Sequence, residues 1–260
     1  MKLSVYIITL NEEKRLERTL KAVCQVADEI IVVDSGSRDK TEEIAKKYNC
    51  KFMYNKWISY CEQKHFAQEQ CSNDYVLMVD ADEVLSSKLI DEINEIKKDF
   101  KYNAYSVDIT DMILNETKPR FLASGIKNVV RLYNKNIADL PKNLMNKDRV
   151  KVPQNETIYH LKNPIYHYSF LSITDAVAKY NLHSSELLNT IIKENKHYSL
   201  LRLITEFPRQ FFKYYFIKRL FVYGTYGFMQ AMVCAYFRFL KVAKYFEYKI
   251  INNKQNNTNK

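Results

Sequence analysis

Tyr75–Val84, YVLMVDADEV, runs five apolar or aromatic residues into two aspartates one residue apart and then a glutamate. A continuous apolar run of this length predicts a strand buried on both faces, as in a parallel sheet. Asp80, Asp82 and Glu83 then emerge together at its carboxyl end, the edge at which open α/β sheets bind ligands. Three neighbouring acids repel one another, and a divalent cation carrying a phosphate-bearing ligand would offset them through hard oxygen donors. Taken alone, Asp-x-Asp is better explained as a strand end whose solvated acids cap the next helix. The flanking chain has to decide.

Outward toward the N-terminus, buried-strand patterns recur at Leu3–Thr9, Glu29–Val33 and Lys51–Tyr54. Leu16, Leu20 and Val23 share one helix face, Asp39 with Glu42 resembles a capping box for a helix through about Tyr48, and Tyr60–Cys71 reads as helical. After the acids, Ser86 or Ser87 caps a helix that carries Leu89, Ile93 and Ile96 on one side. This β-α alternation calls for an α/β fold, a doubly wound, mostly parallel sheet with helices on both faces. Ala104–Ile109 and Lys127–Tyr133 follow as strands, joined by a loop with Lys118, Pro119, Arg120 and Gly125, and 139–167 holds two or three short strands. From Ser172 the pattern is helical over roughly 172–194, 198–219 and 225–247, and Asn252–Lys260 is polar and low in complexity. The expected divisions are 1–170, a helical extension over 171–249 and a disordered tail over 250–260.

Charge divides the chain in the same place. Of 40 basic and 30 acidic side chains, residues 1–195 hold 28 of each, whereas 196–249 hold ten basic and two acidic. The five cysteines form no C-x-x-C pair, which argues against a disulfide framework or a zinc site and favours a reducing compartment. The N-terminal apolar run is too short for a signal sequence, so a cytoplasmic location is expected.

Neither G-x-G-x-x-G nor G-x-x-x-x-G-K-[ST] occurs, which excludes the usual dinucleotide and P-loop motifs. Polar residues nevertheless gather at successive strand ends: Thr9 and Asn11, then Asp34 and Ser35, then Asp80 and Asp82. One cleft holding them suits a nucleoside diphosphate. Asp34 can accept from a base N–H, Asp80 can hold ribose, and Asp82 can ligate a cation bridging the diphosphate.

At these residues the chain resembles glycosyltransferase family 2. The resemblance lies in VYIITLNEE, ADEIIVVDSGSRDKTEEIAKKY, the Lys64-His65-Phe66-Ala67 step and LMVDADE, and it reaches to about residue 247, toward the branch that builds lipopolysaccharide core oligosaccharide. It implies a GT-A fold and an inverting, Mg²⁺- or Mn²⁺-dependent glycosyl transfer, hexosyl or related, from a UDP-sugar to a saccharide or lipid-linked acceptor. Thr9, Asn11 and Glu12 would line the nucleoside pocket, Asp34 would bind the base, and Lys64 would lie near the nucleotide. Asp80 and Asp82 match the Asp-x-Asp, Arg131 precedes the acceptor region, and His167-Tyr168-Ser169 leads into the helical extension. Two departures stand out: His65 replaces the family's usual Asn after the basic residue, and Lys147 stands where a histidine commonly precedes the acid Asp148. Asp148 is the candidate catalytic base, with Asp111 behind it; His167 is read as a structural hydrogen-bonding residue.

Leu220–Phe237 is uncharged between Arg219 and Arg238, but Gly224, Thr225, Gln230 and its aromatic residues argue against a simple span. Arg209, Lys213 and Lys218 before it, with Lys241, Lys244 and Lys249 after it, suit a helix lying on an anionic membrane surface, here the inner face of the cytoplasmic membrane. Packing in a homo-oligomer is the other use for such a face. A nucleic-acid-binding module would explain the basic end and leave the gathered acids unexplained, so no nucleic acid is expected. A nucleotidyltransferase acting on sugar phosphates would want a glycine- and arginine-rich loop after the first strand, where this chain has TLNEEKR.

Overall fold

The computed structural model describes residues 1–113, 126–142 and 149–258. Asp148, Lys147, the Lys118-Pro119-Arg120 loop and Gly125 lie outside the described residues. The chain forms two compact units, Met1–Asp111 with Gly125–Tyr168, and Met112–Ser124 with Ser169–Lys260.

The first unit is built on strands β1 (Leu3–Thr9), β2 (Glu29–Asp34), β3 (Lys51–Tyr54), β4 (Tyr75–Met78), β5 (Glu83–Leu85), β6 (Ala104–Asp111), β7 (Ile126–Asn134), β8 (Ile158–His160) and β9 (Ile165–His167). Helices α1 (Leu16–Val23), α2 (Thr41–Lys47), α3 (Tyr60–Glu69) and α4 (Ser87–Lys98) connect the first half. The strands join in one sheet of order β3-β2-β1-β4-β7-β6-β9-β5, with β8 beside β6. Pairings among β3, β2, β1 and β4 are parallel, whereas β7 runs antiparallel to β4 and to β6. The chain winds outward from β1 to β3 and then returns to place β4 on the other side of β1. The gap between the carboxyl ends of β1 and β4 is therefore the topological switch point, where such sheets bind ligands.

Strand alternation buries both faces. Leu3, Val5 and Ile7 join Leu16, Leu20 and Val23 of α1 and Leu89 and Ile93 of α4 in one core. Tyr6, Ile31, Val33, Val76 and Met78 face the other way, against Ala67 of α3. The second core admits a polar chain, and its hydroxyls are satisfied: Tyr6 and Tyr133 share a hydrogen bond of 2.7 Å, Tyr133 donates to Gln68, and Gln68 donates to Asp139.

Two local expectations are corrected. The apolar run ends as a strand at Met78, and Glu83 begins a second short strand, because β9 pairs with Glu83–Leu85 and draws it into the sheet. The capping box at Asp39 is replaced by a tighter turn: Asp39 accepts from the backbone N–H and hydroxyl of Thr41, and Glu42 pairs with Lys46 instead.

The amino-terminal edge of the sheet is tied by Glu29, which is 9% exposed and accepts hydrogen bonds from Ser4, Lys51, and both the backbone and hydroxyl of Ser72. Burial alone would raise its pKa, but Lys51, Ser4 and Ser72 outweigh it and bring the carboxyl from 4.5 to about 2. A depressed folded-state pKa stabilises above the unfolded value and is lost as pH falls through the folded one. Stability should therefore decline between about pH 5 and pH 2. Glu29→Gln should cost about 1–2 kcal/mol at pH 7 and much less at pH 3, measured by urea unfolding. An equal cost at both pH values would contradict this role.

The second unit is helical: α5 (Ile173–Lys193), α6 (Leu200–Phe212), a π-helical turn at Lys213–Ile217, a 3₁₀ turn at Leu220–Tyr223 and α7 (Gly224–Thr258). Ser172 and Ser199 cap α5 and α6 as N-cap residues. Helix α7 continues to Thr258, into the polar stretch expected to be disordered. Leu220–Asn252 is long and apolar enough to cross a membrane by length and composition, and 44% of its apolar window is buried within the protein. Ala231, Cys234, Ala235, Val242 and Tyr245 form the buried stripe of α7, and Tyr180 of α5 stacks on Phe237 at 4.4 Å.

Candidate active site

The parallel register sets Thr9 of β1 level with Asp34 of β2, and Asp34 level with Tyr54 of β3. Asp34 is buried, and its carboxylate accepts from the Thr9 hydroxyl at 3.0 Å, from the backbone N–H groups of Gly36 and Ser37 at 2.7 Å each, and from the Ser37 hydroxyl. Four donors match the lone-pair capacity of a carboxylate. Asp34 thus organises its own loop, and a nucleobase N–H would have to share or displace one of these donors. Gly36, at φ +108°, occupies a backbone region open mainly to glycine.

The loop after β1 is pinned to the same turn. Asn11 stands at φ +56°, its backbone N–H donates to Ser37 Oγ, and its side-chain oxygen accepts from Arg38 N–H. Glu12 N–H donates to Thr41, while the Glu12 carboxylate pairs with Arg15 at 2.9 Å. A fully buried residue absent from the sequence reading completes this corner. Gln63 of α3 donates to Ser35 Oγ at 3.0 Å and to the Asn55 carbonyl, and accepts from the Asn55 amide. Its position one residue before Lys64, on the inward face of α3, was the available signal.

The acids after β4 close a tight turn: Glu83 N–H donates to the Asp80 carbonyl and Asp80 N–H to Glu83 Oε2, both at 2.9 Å. Lys64 reaches Asp80 Oδ1 at 2.7 Å. Arg131, carried on β7 beside β4, reaches Asp80 Oδ2 at 3.2 Å and Glu83 Oε1 at 2.6 Å. Two acids and two bases thus neutralise one another. Burial raises the Asp80 pKa, but Lys64 and Arg131 overcome it and hold the carboxyl well below the usual range. Burial pushes the Glu83 carboxyl upward; Asp80 adds to this and Arg131 opposes it.

Asp82 has a different partner. The pairing of β9 with β5 and β6 sets His167 opposite both Glu83 and Asp111. His167 Nε2 lies 3.4 Å from Asp82 Oδ1 and Nδ1 lies 3.0 Å from Asp111 Oδ1. Burial would lower its pKa, but Asp111, Asp82 and Glu83 prevail and raise it to about 10. The backbone adds a further tie, from Tyr168 N–H to the Asp82 carbonyl at 2.8 Å. A carboxylate holding Nδ1 while Nε2 faces a second carboxylate is the arrangement that orients metal-ligating histidines. Asp82 offers the hard oxygen donor that Mn²⁺ or Mg²⁺ prefers, and substrate oxygens would have to complete the shell, since the described residues gather no group of three such ligands. His167, read from the sequence as a structural hydrogen-bonding residue, does pair with Asp111 and also stands beside Asp82 as a second candidate ligand; the His-Tyr-Ser run was its only mark in the sequence.

One strand edge thus gathers Thr9, Asn11, Asp34 and Ser35 at β1 and β2, and Asp80, Asp82, Lys64 and Arg131 around β4. The sequence pattern of glycosyl transferase family 2 matches residues 4–169. The chain belongs to glycosyl transferase family 2. An uncharacterized glycosyltransferase of Rickettsia bellii is 42% identical over 94% of this chain and 85% of its own length. The lipopolysaccharide core biosynthesis glycosyltransferase LpsC of Rhizobium meliloti is 29% identical over 94% of this chain and 92% of its own. Among solved structures, S. aureus TarS 1–349 in complex with UDP-GlcNAc is 18% identical, with 73% of this chain and 67% of that chain covered at a TM-score of 0.46. The protein is a glycosyltransferase of GT-A fold, with its mixed sheet followed by a helical extension that ends in one long helix.

Proposed function

We propose that this family 2 enzyme transfers a hexosyl or related sugar, with inversion, from a UDP-sugar to a saccharide of the lipopolysaccharide core or another lipid-linked acceptor. The observation that carries the proposal is the division of labour in Asp80-Ala81-Asp82-Glu83. Asp80 and Glu83 are neutralised by Lys64 and Arg131, which leaves Asp82 and His167 as a donor pair at the switch point. The whole-length likeness to LpsC, named for lipopolysaccharide core biosynthesis, supports this acceptor class. A lipid-linked acceptor also suits a cytoplasmic protein working at the inner face of the membrane, with the basic 196–249 segment toward anionic lipid.

In this reading Asp82 and, once it has given up its Nε2 proton, His167 would hold Mg²⁺ or Mn²⁺. A cation bound there supplies Lewis-acid stabilisation of the departing diphosphate. Asp80, fixed by Lys64 and Arg131, accepts from the ribose hydroxyls; Thr9, Asn11, Glu12 and the Asp34–Ser37 turn frame the base. Asp148 takes the acceptor proton as the glycosidic bond forms. Asp111 is the poorer base, because it already accepts the His167 Nδ1 proton.

Two measurements test this. Screening nucleotide sugars for thermal stabilisation with and without Mn²⁺ should single out a UDP-sugar whose shift requires the metal; a panel with no metal-dependent shift would reject the donor assignment. Asp148→Asn should lower kcat by about a hundredfold or more with little change in donor affinity, whereas Asp111→Asn should weaken metal-dependent donor binding. The reverse pattern would move the base to Asp111.

A further inference from the structure

Helix α6 is inverted relative to an ordinary surface helix. Leu200, Leu201 and Ile204 are 66%, 69% and 74% exposed, while Glu206 on the same helix is 1% exposed. A buried carboxylate requires compensation. Glu206 Oε2 accepts from Arg202 Nε at 3.2 Å and Arg209 Nη2 at 2.6 Å, and Oε1 accepts from Gln210 at 3.0 Å. Each guanidinium commits one nitrogen to Glu206. With side chains 39% and 59% exposed, the two arginines present their remaining N–H groups outward. Tyr198 supports Arg202 from beneath, its ring centroid 4.2 Å from the guanidinium carbon. Ser199, Leu201, Arg202, Thr205 and Arg209 line a shallow, open depression of about 310 Å³.

Two forked cations held apart by one buried carboxylate match a phosphate. The same helix offers exposed leucine and isoleucine side chains, which match acyl chains. We propose that α6 carries a headgroup site for an anionic phospholipid, with the phosphate between Arg202 and Arg209 and Leu200, Leu201 and Ile204 inserted below headgroup level. This rests on the membrane-peripheral reading above and assigns it a site. Charge complementarity selects lipid over a second copy of the chain. Residues 199–222 carry five cationic side chains, Arg202, Arg209, Lys213, Lys218 and Arg219, against the single buried Glu206. A two-fold contact would set this surface against itself.

The test uses the full chain and sedimentation with vesicles of pure phosphatidylcholine or of phosphatidylcholine with phosphatidylglycerol. Wild-type protein should prefer the anionic vesicles, and Arg202→Ala/Arg209→Ala should weaken that binding about thirtyfold, at roughly 1 kcal/mol per arginine near the surface. Lys46→Ala/Lys98→Ala removes the same net charge from exposed positions of the first unit and should leave binding within about twofold. Equal losses in the two double variants would reduce the effect to net charge and overturn the site. Should the arginine variant fail to fold, Leu201→Trp in a Trp57→Phe background, which leaves one emitting tryptophan, still decides. Its emission should shift to the blue on anionic vesicles, and no shift would overturn insertion. Saturable binding of inorganic phosphate without preference for anionic vesicles, or a concentration-dependent dimer lost in Leu201→Ser/Ile204→Ser, would also overturn it. Hydrolysis of the nucleotide sugar should be unchanged in all these variants, so failure here is separable from failure of the transferase assignment.

Discussion

Asp82→Ala should reduce sugar transfer by at least about a thousandfold, equivalent to about 4 kcal/mol of transition-state stabilisation. The size follows from what the side chain is placed to do. Asp80 and Glu83 are bound to Lys64 and Arg131, so neither can replace Asp82 as an anionic oxygen donor without breaking a buried pair. The fold should tolerate the change, since His167 retains Asp111 and the Asp82 backbone carbonyl retains Tyr168 N–H. The variant should melt within a few degrees of wild type while losing the Mn²⁺-dependent part of its stabilisation by donor. His167→Ala should produce the same loss in kind, and the double variant should be little worse than Asp82→Ala, because residues that act as a unit are not additive. Metal-dependent turnover surviving in Asp82→Ala would remove the cation from this position.

Much of this site was legible because strand ends can be read from hydrophobic runs. Leu3–Thr9, Glu29–Val33 and Lys51–Tyr54 form strands where their apolar patterns placed them, the second running one residue further to Asp34, and parallel pairing brings their carboxyl ends to one edge. Thr9, Asp34, Asp80 and Asp82 are grouped by that logic alone. The second half of the site depends on contacts distant in sequence. Arg131 reaches Asp80 and Glu83 because β7 lies antiparallel to β4, and His167 meets Asp82 because β9 joins both β5 and β6. Strands of three residues carry too little periodicity to announce their partners. The role of Glu83 was hidden for the same reason: a third acid in a row resembles a solvated turn until β5 draws it inward. Gln63 was missed because an amide in a helix has no chemistry of its own; its importance lies in holding Ser35 and Asn55. On α6 the sequence showed basic and aromatic residues together, but only the burial of Glu206 reveals which side of the helix faces outward.

Arg131→Met should be the most destabilising single substitution in the site, by about 3–5 kcal/mol, because it removes one partner of a buried ion pair and leaves the other charge uncompensated. Glu83 is 1% exposed and Arg131 is its cation at 2.6 Å. The alternative cation, Lys64, is engaged on the far oxygen of Asp80. The distinguishing result is rescue. Glu83→Gln in the Arg131→Met background removes the stranded charge while keeping the side-chain shape, and should recover about half of the lost stability in urea unfolding. Activity should not return with stability, because Asp80, the proposed nucleotide contact, would remain without one of its two cations. A double variant no more stable than Arg131→Met would mean that the arginine contributes packing rather than charge compensation. A double variant regaining full transfer would mean that Arg131 positions no part of the donor. The pair of outcomes separates the two tasks of this residue: it neutralises the turn that supports Asp82, and it holds Asp80 in place beside it.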